Sequence, residues 1–511
     1  MRRLALPGAV LLALVVVFVI AWATRPGASQ DAVQGGQGAA VTSITRSCPP
    51  SAPGSATAKI SMIALPARAP ATSSAASSTA AKAAATPTGS ATFSAVLAAP
   101  PVGGKKSAGG KASASGKPSA KTKGTLPVTV SATGTATTVT APGGGGTAVA
   151  ATGRMAEGFE AEQSDGSGTG LVSCTHPGAD MWFVGTGQAA GATEVWLYLM
   201  NTGNLTASAD VTILTDTGQQ SGPRTAITVA PSQSVSENIT PYVQGSQALA
   251  LHVQANTGQV AASAWEGGKG GGAWLPQANA PATSLVIPGL TVARSAAKLF
   301  VVVPGSTDAQ LKVVAYTPAG AVTQFPSSPV DASAGAATPF ALNSLGASAA
   351  GVKLTSRQPV VASVLVPGTG IGSFTTAVPP ITEQGVVAGN PAVRGVTVGL
   401  LLTAPSAAAG ASISVIAADG SVMTPAGDQT VTVTAGHTRA LAVPRPSAGD
   451  KDPYAIVITP QPGSGPLYAV RVVTSGTGGL SAPLSSLLPV SSAMTSITLP
   501  PAQDSYTAVL P

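Results

Sequence analysis

Apolar and polar residues alternate in short runs along most of this chain, and glycine, proline and aspartate residues interrupt the runs. Alternation with a period of two, bounded by turn residues, predicts short β-strands that each bury one face. Long runs with the apolar spacing of an amphipathic helix are hard to find after the first residues. The pattern therefore predicts an all-β fold.

The alternating segments recur with a period of about 100 residues, which indicates an internal repeat. Strand-like runs at 196–203 and 209–214 lead to a turn at Gly218, and the same order returns at Gly320 and Gly420. Each repeat has enough strands to cover its own core, which favours tandem β-sandwiches resembling the immunoglobulin class over a propeller. The predicted sandwiches span residues 125–281, 282–382 and 383–511.

An uncharged, mostly apolar run from Leu4 to Thr24 follows two arginines near the start of the chain. This length suits a helix that crosses a membrane with its amino end in the cytoplasm. Ala21-Trp22-Ala23 is also a small-x-small site of the kind found in cleaved signals. Two hypotheses stay open: a single-pass cell-membrane protein with its C-terminal portion outside, or a secreted one. We assign residues 1–25 to the anchor or signal and 26–65 to a juxtamembrane segment with a first strand.

Positive charge is concentrated in one segment, although the formal net charge of the whole chain is +7. Every charged residue between positions 51 and 124 is Lys or Arg, among many Ala, Ser and Gly residues. Such a composition buries too little apolar surface to offset its ordering entropy, so we predict a disordered spacer at 66–124. Attraction to anionic envelope polymers or lipid head groups is the alternative role. We expect no nucleic-acid partner, because no aromatic-interleaved basic motif is present.

Cys48 and Cys174 are the two cysteines of the chain. In an oxidising compartment outside the cytoplasm they are expected to pair, because thiols are not kept reduced there. The disulfide would tie the juxtamembrane segment to the first sandwich, with the spacer inside the closed loop. A metal or redox site is disfavoured, since neither a CxxC motif nor a Cys/His cluster occurs.

Residue types that carry chemistry are few and dispersed. His176, His252 and His437 are the three histidines, and no triad or metal spacing joins them. The glycine-rich segment 267–272 lacks the Ser or Thr of a phosphate loop and predicts a hairpin or loop. We predict no catalytic residue, metal or cofactor, although sequence spacing does not exclude a glycosidase pair. The scattered carboxylates considered are Asp180, Glu194, Asp210, Asp216 and Glu237.

Large aromatic residues are concentrated in the first predicted sandwich. Core packing accounts for one or two of them in an ordinary sandwich. Their number indicates that some face outward, where aromatic rings suit a sugar or protein partner. Trp274, beside the glycine-rich segment, is predicted to be the most exposed. The candidate binding surface comprises Trp182, Trp196, Trp265, Trp274, Tyr198 and Tyr242.

The segment from His176 to Gly185 follows Cys174, and Cys48-Pro49 lies upstream behind the apolar run. This arrangement resembles the bacterial domain of unknown function family 5719, over most of residues 40–500. The resemblance implies an anchored or secreted envelope protein of high-GC Gram-positive bacteria, from a family often encoded near membrane glycosyltransferases. That family has no established activity to carry over. The segment 66–124 departs from its compact pattern.

Three functional hypotheses follow from these observations. The first is a noncatalytic, membrane-anchored envelope protein that acts as spacer and docking surface, with an envelope protein or glycan of the polysaccharide-assembly machinery as partner. The second is a carbohydrate-binding module that uses the first sandwich. The third is a hydrolase, which would require two carboxylates facing each other in a cleft.

Overall fold

The computed structural model describes ten segments of the chain, which form two compact units. In the smaller unit, strand β1 (Gly38–Ala40) pairs antiparallel with the last strand, β36 (Ser496–Thr498). The larger unit is Val41–Thr495. The predicted anchor or signal, and the spacer residues 67–87 and 100–124, lie outside the described residues. The described segments are 38–66, 88–99, 126–165, 170–222, 226–291, 297–323, 330–342, 349–425, 430–447 and 452–498.

Strands joined by turns make up the described segments, which confirms the all-β prediction. Alternating burial is clear on many strands, as the period of two requires. Within these segments no helix is both long and apolar enough to cross a membrane. Short 3₁₀ turns occur at Gly153–Met155, Gln188–Ala190, Thr240–Tyr242 and Gly479–Ser481.

The first sandwich precedes the repeats and has its own core. One sheet has the order β2-β7-β4, with β5 on β4, and the other has the order β6-β3-β8-β9. Ile60, Met62, Phe93 and Phe159 are fully buried in its core. The predicted unit 125–281 therefore divides into the end of this sandwich and the whole of the next. Its strands are β2 (Ser43–Cys48), β3 (Thr57–Ile63), β4 (Ser90–Ala98), β5 (Val128–Val130), β6 (Thr137–Pro142), β7 (Gly146–Thr152), β8 (Glu160–Ser164) and β9 (Leu171–Ser173).

Strand β4 lies inside the segment that the sequence predicts to be a disordered spacer, and that prediction is wrong for Ser90–Ala98. Ala91 and Phe93 are buried at alternating positions, and β4 pairs with β5 and β7. The sheet continues past β4, because Leu97 and Ala98 pair in parallel with the second sandwich. Low-complexity flanks conceal this short alternation in the sequence.

The last three sandwiches share one pattern of strand pairing. In the second, one sheet has the order β10-β16-β12-β13, with β14 on β12, and the other has the order β18-β17-β11-β15. Its strands are β10 (Asp180–Thr186), β11 (Ala192–Asn201), β12 (Ala207–Thr215), β13 (Gly218–Gln220), β14 (Ile227–Val229), β15 (Gln233–Asn238), β16 (Ala248–Thr257), β17 (Ala261–Gly268) and β18 (Gly271–Leu275).

The third sandwich repeats this order with one long strand, β25, which serves both sheets. β25 pairs with β19 and β21 along its first part and with β20 and β26 along its second part. It replaces the two strands β16 and β17 of the second sandwich. The strands are β19 (Ala282–Thr291), β20 (Ala297–Val302), β21 (Ala309–Thr317), β22 (Gly320–Val322), β23 (Val330–Ala332), β24 (Ala337–Leu342), β25 (Ala349–Val366) and β26 (Ser373–Thr376).

The fourth sandwich has the orders β27-β33-β29-β30, with β31 on β29, and β32-β28-β34-β35. The three equivalent pairings account for the repeat of the sequence pattern, whereas the immunoglobulin-like classification stays a prediction. The strands are β27 (Gly385–Asn390), β28 (Val396–Ala404), β29 (Ala409–Ile416), β30 (Val422–Met423), β31 (Val431–Val433), β32 (His437–Val443), β33 (Tyr454–Pro460), β34 (Tyr468–Ser475) and β35 (Leu484–Val490).

Neighbouring sandwiches share hydrophobic cores. Phe300 and Phe374 of the third sandwich belong to the core of the second, and Leu401 and Val470 of the fourth belong to the core of the third. Ile63 of the first sandwich packs in a cluster with strands β27 and β33 of the fourth. The first sandwich therefore contacts both the second and the fourth.

Candidate functional site

A disulfide joins the end of β2 to the segment that follows β9. The Cα atoms of Cys48 and Cys174 are 4.3 Å apart, and the bridge spans a sequence separation of 126 residues. The predicted pairing is confirmed, and it fits an extracellular or secreted location. Arg46 and His176 each lie two residues from a bridged cysteine, and both line the same cavity. The disulfide therefore holds two parts of that cavity wall together.

Glu162 connects the first sandwich to the fourth. Its Oε2 atom accepts a hydrogen bond from Nη1 of Arg471 at 2.9 Å, and both side chains are almost completely buried. The backbone N–H groups of Ala388 and Gly389 also donate to its carboxylate, at 2.9 and 3.2 Å. These three donors compensate part of the cost of burying the charge. The side chain is thus held in one position against strands β27 and β34.

Glu160 lies two residues before Glu162 on β8 and pairs with Arg46 of β2. Burial raises the pKa of Glu160 to about 7, an effect that Arg46 opposes and the charge of Glu162 increases. Both protonation states of this carboxyl group are therefore populated near neutral pH.

A cavity of about 240 Å³ lies where the first, second and fourth sandwiches meet. Arg46 and Glu160 line it from the first sandwich, Ser263 and Trp274 from the second, and Leu487 from the fourth. The lining thus combines an aromatic ring and aliphatic groups with charged and hydroxyl groups. Mixed linings of this kind are typical of small-molecule sites.

Two polar atoms of this cavity wall have no hydrogen-bond partner among the described residues. They are Oγ of Ser263 and Nε of Arg46, on side chains that are 1% and 7% exposed as residues. Exposed His176, Asn279 and Met494 form part of the rim. Burial and the nearby charge of Arg46 lower the pKa of His176, so His176 is mainly neutral at pH 7. The rim is therefore largely uncharged.

The predicted aromatic surface is mostly buried. Trp274, expected to be the most exposed, is 8% exposed, and it packs in a cluster with Tyr198, Trp265 and Val172 of the first sandwich. The expectation of an exposed Trp274 is therefore wrong, because the first sandwich covers this face of the second. Trp274 is nevertheless one of the residues that line the cavity.

The other predicted aromatics lie elsewhere. Trp182 is 3% exposed and stacks on His252 with ring centroids 3.9 Å apart. Trp196 and Tyr242 are partly exposed. A binding role for these side chains stays a prediction. Of the six aromatic residues of the predicted surface, Trp274 lines the cavity and the other five do not.

The histidines do not converge. His252 Nε2 lies 2.9 Å from Oδ1 of Asp180, and His437 lies at the start of β32 in the fourth sandwich. Among the described residues, no group of three His, Cys, Asp or Glu side chains has the arrangement of a metal site. The glycine-rich segment was predicted to be a hairpin or a loop, and it forms the hairpin between β17 and β18.

The cavity residues that sequence reasoning missed are Arg46, Glu160 and Glu162. A signal was present, because two acidic residues at alternating positions of a strand are unusual in a chain with 9% charged residues. Alternating positions place both side chains on one face of the strand. Their partner Arg471 was not predictable by spacing, because it lies 309 residues from Glu162.

A family model matches residues 129–444, which extend from the late strands of the first sandwich into the fourth. Its description is Family of unknown function (DUF5719). The chain belongs to this family. The match covers fewer residues than the 40–500 expected, and it includes Glu160, Glu162 and Cys174. The description carries no activity, so it assigns no function to the cavity.

The remaining comparisons add little. No curated protein matches the chain. A crystal structure of Streptomyces avermitilis alpha-L-rhamnosidase complexed with L-rhamnose is similar over 62% of this chain and 49% of that chain, at 9% identity. The chain thus spans about half the length of that structure. With a TM-score of 0.10, this likeness supports no statement about fold or function.

Proposed function

We propose that this protein is a noncatalytic, extracytoplasmic envelope protein whose sandwiches act as spacer and docking surface for a partner in polysaccharide assembly. The observation that carries the proposal is the contact between the first and fourth sandwiches through Glu162 and Arg471. Shared cores connect the second, third and fourth sandwiches as well. Surfaces from distant parts of the sequence are therefore held in fixed positions, as a docking surface requires.

The disulfide supports the extracytoplasmic part of the proposal, because bridges persist in oxidising compartments. Membrane anchoring through Leu4 to Thr24 belongs to the same proposal and rests on the sequence pattern alone. The immunoglobulin-like class suits the role, since such sandwiches serve in many cell-surface proteins.

Chemical cross-linking of the native protein in its own cells, followed by purification and mass spectrometry, tests the docking role. We expect an enzyme or glycan of polysaccharide assembly to be recovered with the natural chain. Arg471→Met should lose that partner, because the substitution leaves Glu162 without its buried cation. Lys59→Met, which removes an exposed basic side chain of the first sandwich, should retain it. Recovery of no envelope enzyme or glycan with the natural chain would reject the proposal.

A hydrolase is the second candidate, because Glu160 and Glu162 both line the cavity. Their Cα atoms lie about 7 Å apart, two residues along a strand, and glycosidase carboxyl groups are separated by roughly 5–10 Å. Incubation with oligosaccharides, analysed by mass spectrometry, tests this candidate. Shortened products that disappear with Glu160→Gln would support it, and unchanged substrates with the natural chain would exclude it for those substrates.

A further inference from the structure

A second depression lies beside the cavity. This groove, of about 650 Å³, shares His176 and Met494 with the cavity. Asn204 and Gln259 line the groove with exposed amide side chains. The two depressions are therefore adjacent, with the smaller cavity as the inner part and the larger groove as the outer part.

The polar groups of the cavity, which is the inner part, are of the kinds that bind the hydroxyl groups of a ligand. The carboxyl group of Glu160 and the hydroxyl group of Ser263 accept hydrogen bonds, while Nε of Arg46 donates one. Two of these groups lack a partner among the described residues, although unpaired buried polar atoms are costly. Donors and acceptors together suit a bound molecule with several hydroxyl groups.

The aromatic side chain selects among such molecules. Trp274 lines the cavity and also packs in a buried cluster with Val172 of the first sandwich, so its ring is held rigidly. A ring of carbon atoms with axial hydrogens on one face and hydroxyl groups at its edge matches an aromatic wall beside polar groups. This description fits a pyranose unit.

The charges and the size of the cavity further restrict the class of ligand that it can bind. Arg46 is paired with Glu160, and Glu162 with Arg471, so each of these charged side chains already has a partner of opposite charge within the protein. The volume of the cavity, about 240 Å³, is below the roughly 300–1,000 Å³ of sites for drug-sized ligands. One sugar ring is the occupant of suitable size.

From these observations we infer that the cavity binds the terminal sugar unit of a neutral saccharide chain and that the adjoining groove binds the units that follow. The inference goes beyond the docking role, because it requires no protein partner. It gives the carbohydrate-binding hypothesis a site in which Trp274 lines a cavity instead of an exposed face.

Isothermal titration calorimetry on the purified full chain tests the inference. The probes are glucose, galactose, mannose and xylose, and the trisaccharides maltotriose, cellotriose and mannotriose. We expect saturable binding of at least one trisaccharide, about tenfold tighter than its monosaccharide, because the groove adds hydrogen bonds. Acetate and ammonium ions serve as charged probes and should not bind.

Two matched pairs of variants locate the site. Ser263 and Ser47 both have a buried hydroxyl without a partner among the described residues, but only Ser263 lines the cavity. Ser263→Ala should weaken trisaccharide binding about fivefold, the effect of one hydrogen bond, and Ser47→Ala should leave it unchanged. Trp274 and Trp265 are each 8% exposed, and only Trp274 lines the cavity. Trp274→Leu should abolish binding, and Trp265→Leu should preserve it.

Thermal melting of each variant establishes whether it is folded. If a tryptophan variant does not fold, the comparison of the two serine variants still tests the inference. Binding of no saccharide at millimolar concentrations, or binding of acetate or ammonium instead, would overturn the inference. Equal affinity for monosaccharides and trisaccharides would overturn the assignment to a chain end. Because the measurement uses purified protein, its outcome is independent of the cross-linking experiment.

Discussion

Glu266 is a carboxyl group buried in the second sandwich, and its removal provides a quantitative test of the structure. The side chain is completely buried on β17. Its two oxygens interact with Thr186, one accepting from the backbone N–H at 2.8 Å and the other bonded to the hydroxyl group at 2.8 Å. Burial raises its pKa to about 8, and the bonds from Thr186 only partly oppose this effect.

The sign of the resulting pH dependence follows from proton binding. The folded protein keeps the proton of Glu266 up to about pH 8, whereas the unfolded chain releases it near its ordinary pKa of 4.5. This stabilising contribution is complete below pH 4.5 and is lost as the pH rises through 8. Between about pH 5 and about pH 8, this contribution falls by about 3.5 kcal/mol, at 1.36 kcal/mol for each pKa unit and with the partial titration at both ends included.

Glu266→Gln is the informative substitution. Glutamine resembles the protonated carboxyl group, so it can accept from the Thr186 N–H and donate to its hydroxyl group. We expect the variant to be more stable than the natural chain at pH 8, and its free energy of unfolding to vary less between pH 5 and 8. Urea denaturation followed by circular dichroism across this range measures the effect.

Asp452→Asn is the control, because Asp452 is an exposed carboxyl residue. This variant should follow the pH dependence of the natural chain. Glu160 also lowers the free energy of unfolding as the pH rises to about 7. This effect is the same in all three proteins, so it cancels in the comparison. An unchanged pH dependence in Glu266→Gln would refute the assignment of a protonated, buried Glu266.

Three further substitutions test other parts of the structure by the same denaturation assay. Cys174→Ser opens a loop of 126 residues and should cost up to about 5 kcal/mol, and equal stability with and without the bridge would contradict this. Arg471→Met leaves a buried carboxylate without its cation and should cost about 3–5 kcal/mol, while the exposed control Lys59→Met should change stability by less than about 0.5 kcal/mol. Gly289→Ala adds a methyl group 2.2 Å from Val470 at a φ of +56° and should cost about 3 kcal/mol, whereas Gly305→Ala, with no atom within 4 Å, should cost less than about 1 kcal/mol. Similar stabilities for the two alanine variants would show that the third and fourth sandwiches do not pack as described.

Local features of the sequence determined the strands, the turns and the repeat. The turns at Gly218 and Gly320 each close a hairpin, and both glycines adopt positive φ angles. Period-two alternation reports which face of a strand is buried, whatever lies on the other side of the core. The pairing of Cys48 with Cys174 was also predictable, because a chain with two cysteines has one possible intramolecular disulfide.

Tertiary structure alone decided how the sandwiches meet. Trp274 is buried because the first sandwich covers it. The residue pattern of its own strand contains no information about this contact. Strand β4 is ordered by pairing with β7 and β15 on either side of it, although its flanks have the composition of a spacer.

The cavity likewise depends on contacts between residues that are distant in the chain. Glu160 and Glu162 are visible in the sequence as two acidic residues, but their cations are supplied by Arg46 and Arg471, at separations of 114 and 309 residues. Alternation specifies the direction of a side chain relative to its own strand, and it contains no information about which distant strand lies opposite. For this reason the sequence determined the sheets of this protein, while the burial, pairing and protonation of its charged groups were set only when the sandwiches packed together.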